Sequence, residues 1–176
     1  LSLSASIAFE QSYGGIEGDS ASVAELCVLV SAISGLALRQ DLAVTGSINQ
    51  HGEVQAIGAV NEKIEGFFRV CRDAGGLSQH GVVIPAANLR HLMLSLEVRE
   101  AMTAGRFHVH AIEHVDDALT LFTGLPAGSL DDEGKWTAGS VNARVAERLL
   151  HFSQVLRRSR AASLDAAGEA SDNGER

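Results

Sequence analysis

The stretch "SASVAELCVLVSAISGLAL", Ser20 to Leu38, constrains this chain more than any other. Apolar or small side chains fill nearly every position, and Glu25 is its only charge. Apolar residues on every face over this length predict a buried central helix rather than a strand. Such a helix needs cover on several sides, and the rest of the chain has the pattern to supply it.

Residues 3 to 9, "LSASIAF", alternate with period two as a half-buried strand does, and the loop "QSYGGIEG" follows with three glycines. "LAVTGSI" and "GEVQAIG" are β-like runs joined through "NQHG", which suits a hairpin. In "VNEKIEGFFRVCRDAGG", Asn61 is the expected N-cap, Ile64, Phe67, Phe68 and Cys71 form an apolar stripe at helical spacing, and Gly75-Gly76 ends the helix. "GVVIP" predicts a short buried strand, residues 87 to 104 a helix, "FHVHAI" a strand and "VDDALTLFTG" a helix stopped by Gly124. Helices interleaved with strands in this way predict an α/β class. After the loop "AGSLDDEGKWTAG", "VNARVAERLLHFSQVLRRSR" reads as an amphipathic helix with Val141, Val145, Leu149 or Leu150 and Phe152 on one side. From about Ala161 the residues are small and polar without periodicity, so residues 161–176 are expected to be disordered. The expected organisation is therefore a core over 1–125, a loop and helix over 126–160, and that tail.

The 176 residues suit one domain, and 45% hydrophobic residues with 18 glycines and 2 prolines exclude a collagen-like chain. No apolar run approaches the roughly 20 residues of a membrane span, so no membrane partner is expected. The formal charge of −8 would repel a phosphate backbone, which disfavours nucleic acid. Cys27 and Cys71 have no CxxC partner and fit buried thiols in a reducing compartment, the cytoplasm by default. The chain starts at Leu1 inside a strand-like pattern without an initiator Met or leader, and reads as a piece of a longer polypeptide. It contains no GxxxxGK[ST] phosphate loop.

Two serines and a lysine are the candidates for chemistry. Ser22 with Glu25 makes a capping-box pair, which accounts for Ser22 without catalysis. Ser20 has no such partner. A glycine-containing loop delivers it to the first turn of an apolar helix, where N–H groups and the positive end of the dipole stabilise an oxyanion. Its alternative is a plain turn residue. A serine nucleophile needs a base, and none of the seven histidines is placed as one by its local pattern. His108, His110 and His114 hint at a metal site that no nearby cysteine or carboxylate set completes, so no metal is expected. Lys63 stands in the first turn of its helix, beside the apolar stripe and one turn before Phe67, where dipole and desolvation both disfavour an ammonium. A neutral lysine there takes a proton from a serine hydroxyl; the alternative is a surface lysine snorkelling past Phe67.

These residues carry a resemblance. "GIEGDSAS", then "AVTGSINQHGEVQAIGAVNEKI", then "GVVIP" resembles the proteolytic domain of the Lon proteases, ATP-dependent enzymes with a serine–lysine dyad, in the bacterial Lon-like branch carrying EGDSAS. The resemblance covers residues 5 to about 124. It implies that Ser20 is the nucleophile, Lys63 the catalytic lysine and Thr45 with Gly46 the "TG" pair whose threonine orients the amine. Glu17 falls on the acidic position three before the serine, and the backbone around Asp19 to Ala21 is the expected oxyanion site. The upstream histidine pair of many members has no counterpart, "AFEQSY" standing there. The implied fold is that of ribosomal protein S5 domain 2, assembled as a homo-hexamer. The implied cofactors, ATP and Mg, belong to a preceding AAA+ module, and the implied substrates are unfolded or tagged proteins. A non-catalytic assembly domain on the same fold is the alternative function.

Overall fold

A computed structural model describes residues 4–7 and 18–172, with residues 160–172 described as backbone only. The expected strand over residues 3 to 9 lies outside the described residues except for 4–7, which are exposed and form no strand. Most of the glycine loop, with Glu17, also lies outside them.

Helix α1 spans Ser22–Ser34 and stops where Gly35 turns left-handed (φ 71°), its N–H closing on the Ser31 carbonyl. It is shorter than the apolar run because that left-handed residue ends it, and Leu36 and Leu38 pack on the core from the loop beyond. Its burial is also less complete than expected. Val23 and Cys27 are fully buried, while Val28 is half exposed. The chain continues through β1 (Leu42–Val44), β2 (Ser47–Ile48), β3 (Val54–Gln55), α2 (Val60–Asp73), β4 (His80–Pro85), a 3₁₀ turn (Ala86–His91), α3 (Leu96–Thr103), β5 (Phe107–Ile112), α4 (Val115–Thr123) and α5 (Val141–Asp172).

Among the described residues the strands form two sheets, one of three parallel strands in the order β1-β4-β5 and one antiparallel pair, β2-β3. Strand β4 is the centre of both register and core, pairing Ala43 with Val82 on one side and Val82 with Val109 on the other. Side chains on a strand alternate between faces. Val83 therefore joins Val23, Cys27, Leu119 and Phe122 in one core, beneath α1 and α4. Val82 and Ile84 join Ile64, Phe68, Val98 and Phe107 in a second core, beneath α2 and α3. Helices on both faces of a parallel sheet give a mixed α/β architecture, as the interleaved pattern predicts.

Three expectations change. "LAVTGSI" is not one strand: β1 belongs to the parallel sheet and β2 to the hairpin, with Thr45-Gly46 the break between them. The helix expected over residues 87 to 104 is split, because Asn88, buried at 2% exposure, pairs with both backbone groups of Ile57 (2.9 Å each) and holds the 3₁₀ turn against the β3–α2 connection. Third, α5 continues through the expected tail as far as Asp172. The alanines of that stretch favour helix even without an apolar stripe; residues 173–176 lie outside the described residues.

Phe107 is fully buried, edge-to-face with Phe68 at 5.2 Å and tilted to Phe67 at 6.4 Å. Phe107→Ala should lower unfolding free energy by about 3–5 kcal/mol, read by chemical denaturation. Leu130→Ala, on an exposed residue, should change it by less than about 0.5 kcal/mol.

Candidate active site

Ser20 sits in the turn that enters α1, and its position is set by the break between β1 and β2. The Ser20 carbonyl accepts the Gly46 N–H at 2.8 Å and the Thr45 hydroxyl at 3.2 Å. In return the Val23 N–H donates to the Gly46 carbonyl at 3.2 Å. Gly46 is required here by space, since a Cβ on it would come within 2.8 Å of Val23 Cγ2 and 3.2 Å of Val54 Cγ1. On either side of Ser20 the loop is tied to the same segment. Ser47 Oγ donates to Asp19 Oδ2 at 2.5 Å, and Ser22 Oγ accepts the Ile48 N–H at 3.0 Å. This corrects the capping-box reading: α1 has no side-chain cap, and Ser22 spends its hydroxyl across space on β2.

Lys63 comes from the opposite face of the sheet. Val60, Ile64, Phe68 and Cys71 are the buried stripe of α2, which leaves Lys63, partly buried, on the flank facing Ser20. Its N–H bonds to the carbonyl of Ala59, which caps α2 in a left-handed conformation (φ 55°). Asn61 is therefore not the N-cap. It lies inside the helix, accepts the Met93 N–H at 2.8 Å and donates to the His91 carbonyl at 2.9 Å, clasping the start of α2 to the segment before α3.

The side chains of Lys63, Ser20 and Thr45 meet. Lys63 Nζ lies 2.9 Å from Ser20 Oγ and 3.2 Å from Thr45 Oγ1, and Thr45 is 8% exposed. Among the described residues no carboxylate stands within ion-pairing distance of that amine. The N–H groups of Ser20 and Ala21 have no acceptor among the described residues, and they lie at the positive end of α1. Two hollows flank the pair, and Ser20 and Lys63 line both. One, of about 300 Å³, is apolar, with Ala24, Val44, Phe67 and Val82 in its wall. The other, of about 360 Å³, is walled by Gly18, Asp19 and residues 56–59. A hydroxyl, an amine and two N–H groups that have no acceptor among the described residues stand between two hollows, and such a set can perform acyl transfer on a chain laid across them.

Of the residues singled out from the sequence, Ser20, Thr45, Gly46, Lys63, Asp19 and Ala21 come together, while Glu17 lies outside the described residues. Ser47, 3% exposed, was not singled out. Its only signal was a hydroxyl in an apolar run, which any strand serine shares. The histidines do not assemble. His108 and His110 neighbour each other on β5 (ring centroids 6.0 Å apart), whereas His114 caps α4 and touches the His51 carbonyl. Burial, then His108 and Arg39, hold the His110 imidazole below its usual pKa. Among the described residues no three metal-ligating side chains gather. Both thiols are buried and free, and desolvation pushes Cys27 up to about 11 and raises Cys71.

Residues 13–123 match the family model of the Lon protease (S16) C-terminal proteolytic domain. The chain is similar to the "Putative Lon protease homolog" of Escherichia coli (strain K12), 44% identical over 154 residues, covering 88% of this chain and 25% of that protein. A protein of the same name from Haemophilus influenzae is 48% identical over 135 residues, 77% of this chain and 22% of that one. The archaeal Lon protease of Pyrococcus abyssi is 35% identical over 113 residues, 64% of this chain and 10% of that one. The chain thus spans a quarter or less of the length of these relatives.

Gly46→Ala should push the Ser20 turn away from β2 and cost about 1–3 kcal/mol of stability. The check is thermal unfolding, with Gly58→Ala, where an added Cβ meets nothing within 4 Å, shifting the midpoint far less.

Proposed function

The chain belongs to the Lon protease (S16) C-terminal proteolytic domain family, a serine protease domain, and from that premise we propose that Ser20 is its nucleophile and Lys63 its general base. The observation that carries this reading is the 2.9 Å contact between Lys63 Nζ and Ser20 Oγ, with Thr45 Oγ1 as the amine's second partner. A neutral amine that gives one N–H to Thr45 has its lone pair free for the Ser20 hydroxyl.

The steps follow from that arrangement. Ser20 Oγ attacks the peptide carbonyl carbon as its proton passes to Nζ, and the carbonyl oxygen, now an oxyanion, takes N–H bonds from the backbone around Asp19 to Ala21. The C–N bond breaks as Nζ returns the proton to the leaving nitrogen, leaving an ester on Ser20. Water, deprotonated by Nζ, attacks that ester, and Ser20 regains its proton as the acid is released.

The wider setting belongs to the same proposal. The relatives' greater length leaves room for an AAA+ module that uses ATP and Mg to deliver unfolded or tagged proteins. The domain would have the fold of ribosomal protein S5 domain 2 and work as a homo-hexamer in the cytoplasm. No helix among the described residues is long and apolar enough to cross a membrane, and the charge of −8 weighs against nucleic acid as a partner.

In the full-length protein with ATP, Ser20→Ala and Lys63→Ala should each abolish protein cleavage, and Lys63→Arg should not restore it, because a guanidinium is not a neutral base. Thr45→Val should lower the rate about tenfold through the lost hydrogen bonds. A fluorophosphonate probe should label Ser20 in the wild type and not in Lys63→Ala. Equal labelling of both would remove Lys63 as the base. Wild-type protein that neither labels nor cleaves would replace the enzyme reading by that of a non-catalytic assembly domain.

A further inference from the structure

The site contains a charge that works against its chemistry. Asp19 precedes the nucleophile and is the one carboxylate in the walls of either hollow beside the pair among the described residues; Lys63 lines the same hollow. A carboxylate paired with the amine would favour the ammonium and take away the lone pair that deprotonates Ser20. Asp19 nevertheless makes no ion pair with Lys63. Its Oδ2 is held at 2.5 Å by the hydroxyl of Ser47, which points from β2 and is 3% exposed.

We propose that Ser47 is a positioning residue for catalysis, whose hydroxyl holds the Asp19 carboxylate away from Lys63 so that the amine stays available to Ser20. The inference rests on the dyad reading above and extends it to a residue that touches neither reacting atom. Ser47 suits the role because it cannot follow Asp19 if the loop shifts. Its backbone lies in β2, in register with Gln55, directly after the Gly46 close approach. A charged acceptor also makes this the strong kind of hydroxyl hydrogen bond. With Ser47→Ala the carboxylate loses that donor and is free to turn toward Lys63, which lines the same hollow.

A plain loop-anchoring role would have a different signature, because Asn at position 19 also accepts a hydrogen bond from Ser47 but cannot pair with an ammonium. The experiment is a double-mutant cycle on the full-length protein, read as the second-order rate of fluorophosphonate labelling at Ser20, with thermal midpoints measured alongside. Ser47→Ala should slow labelling about tenfold or more, the size expected for a lost hydrogen bond to a charged group. In the Asp19→Asn background the same substitution should change the rate less than about twofold, and kcat for ATP-driven cleavage should follow the labelling rate while KM stays within about twofold. Ser47→Thr, which keeps the hydroxyl, should recover most of the rate that Ser47→Ala loses. A Ser47→Ala loss of equal size in both backgrounds, or no loss in the first, overturns the inference while leaving the dyad intact. Wild-type protein that fails to label overturns the dyad reading itself.

Discussion

The approach of the Ser20 carbonyl to the Gly46 N–H, at 2.8 Å, is the contact on which the site depends. It brings the N-terminus of α1 against the point where the chain leaves the parallel sheet for the hairpin, and a Cβ at that point would force Val23 to shift. Thr45 is thereby set beneath Ser20, with its hydroxyl between the serine carbonyl and the lysine amine. Remove the close approach and the serine, the threonine and the N–H groups at the start of α1 lose their common reference.

Lys63 reaches that point only because β4 is buried on both faces. Val83 anchors the α1 side, and Val82 with Ile84 anchors the α2 side, so two helices from opposite layers are held at fixed distance by one strand. The apolar stripe of α2 sets the rotation that turns Lys63 toward Ser20, and the Asn61 clasp holds the start of the helix. Rotamer freedom in a long lysine is costly to freeze. Here the backbone of its first turn is fixed by packing, and the side chain finds two hydroxyl partners rather than solvent.

The polar economy around Ser20 is local and nearly complete. Ser22, Thr45 and Ser47 each direct a hydroxyl onto the loop or its neighbour strand, and no buried side-chain nitrogen or oxygen among the described residues lacks a partner. Against that background the N–H groups of Ser20 and Ala21 stand out as donors without an acceptor among the described residues. Donors left without an acceptor beside otherwise satisfied side chains are what the proposed oxyanion-binding turn requires.

What the sequence determined by itself was whatever periodicity and local motif encode. The stripe of α2, the buried strand at β4, the hairpin at "NQHG" and the stop of α4 at Gly124 all follow from 3.6- and 2-residue periods and turn chemistry. Ser20, Lys63, Thr45 and Gly46 were legible as a set through the resemblance to the Lon proteolytic domain, although neither serine nor lysine was compelling alone. Tertiary structure decided the rest. "LAVTGSI" looks continuous because its alternation survives the break, yet two sheets share it. Ser22 and Asn61 have the side chains of caps, but each found a backbone partner more than twenty residues away. Ser47 was invisible because a strand serine acquires meaning only from what faces it, here the carboxylate of Asp19. A local pattern can specify which face of an element is apolar. Which polar atom a hydroxyl meets across space depends on how those faces pack, and no local period records that.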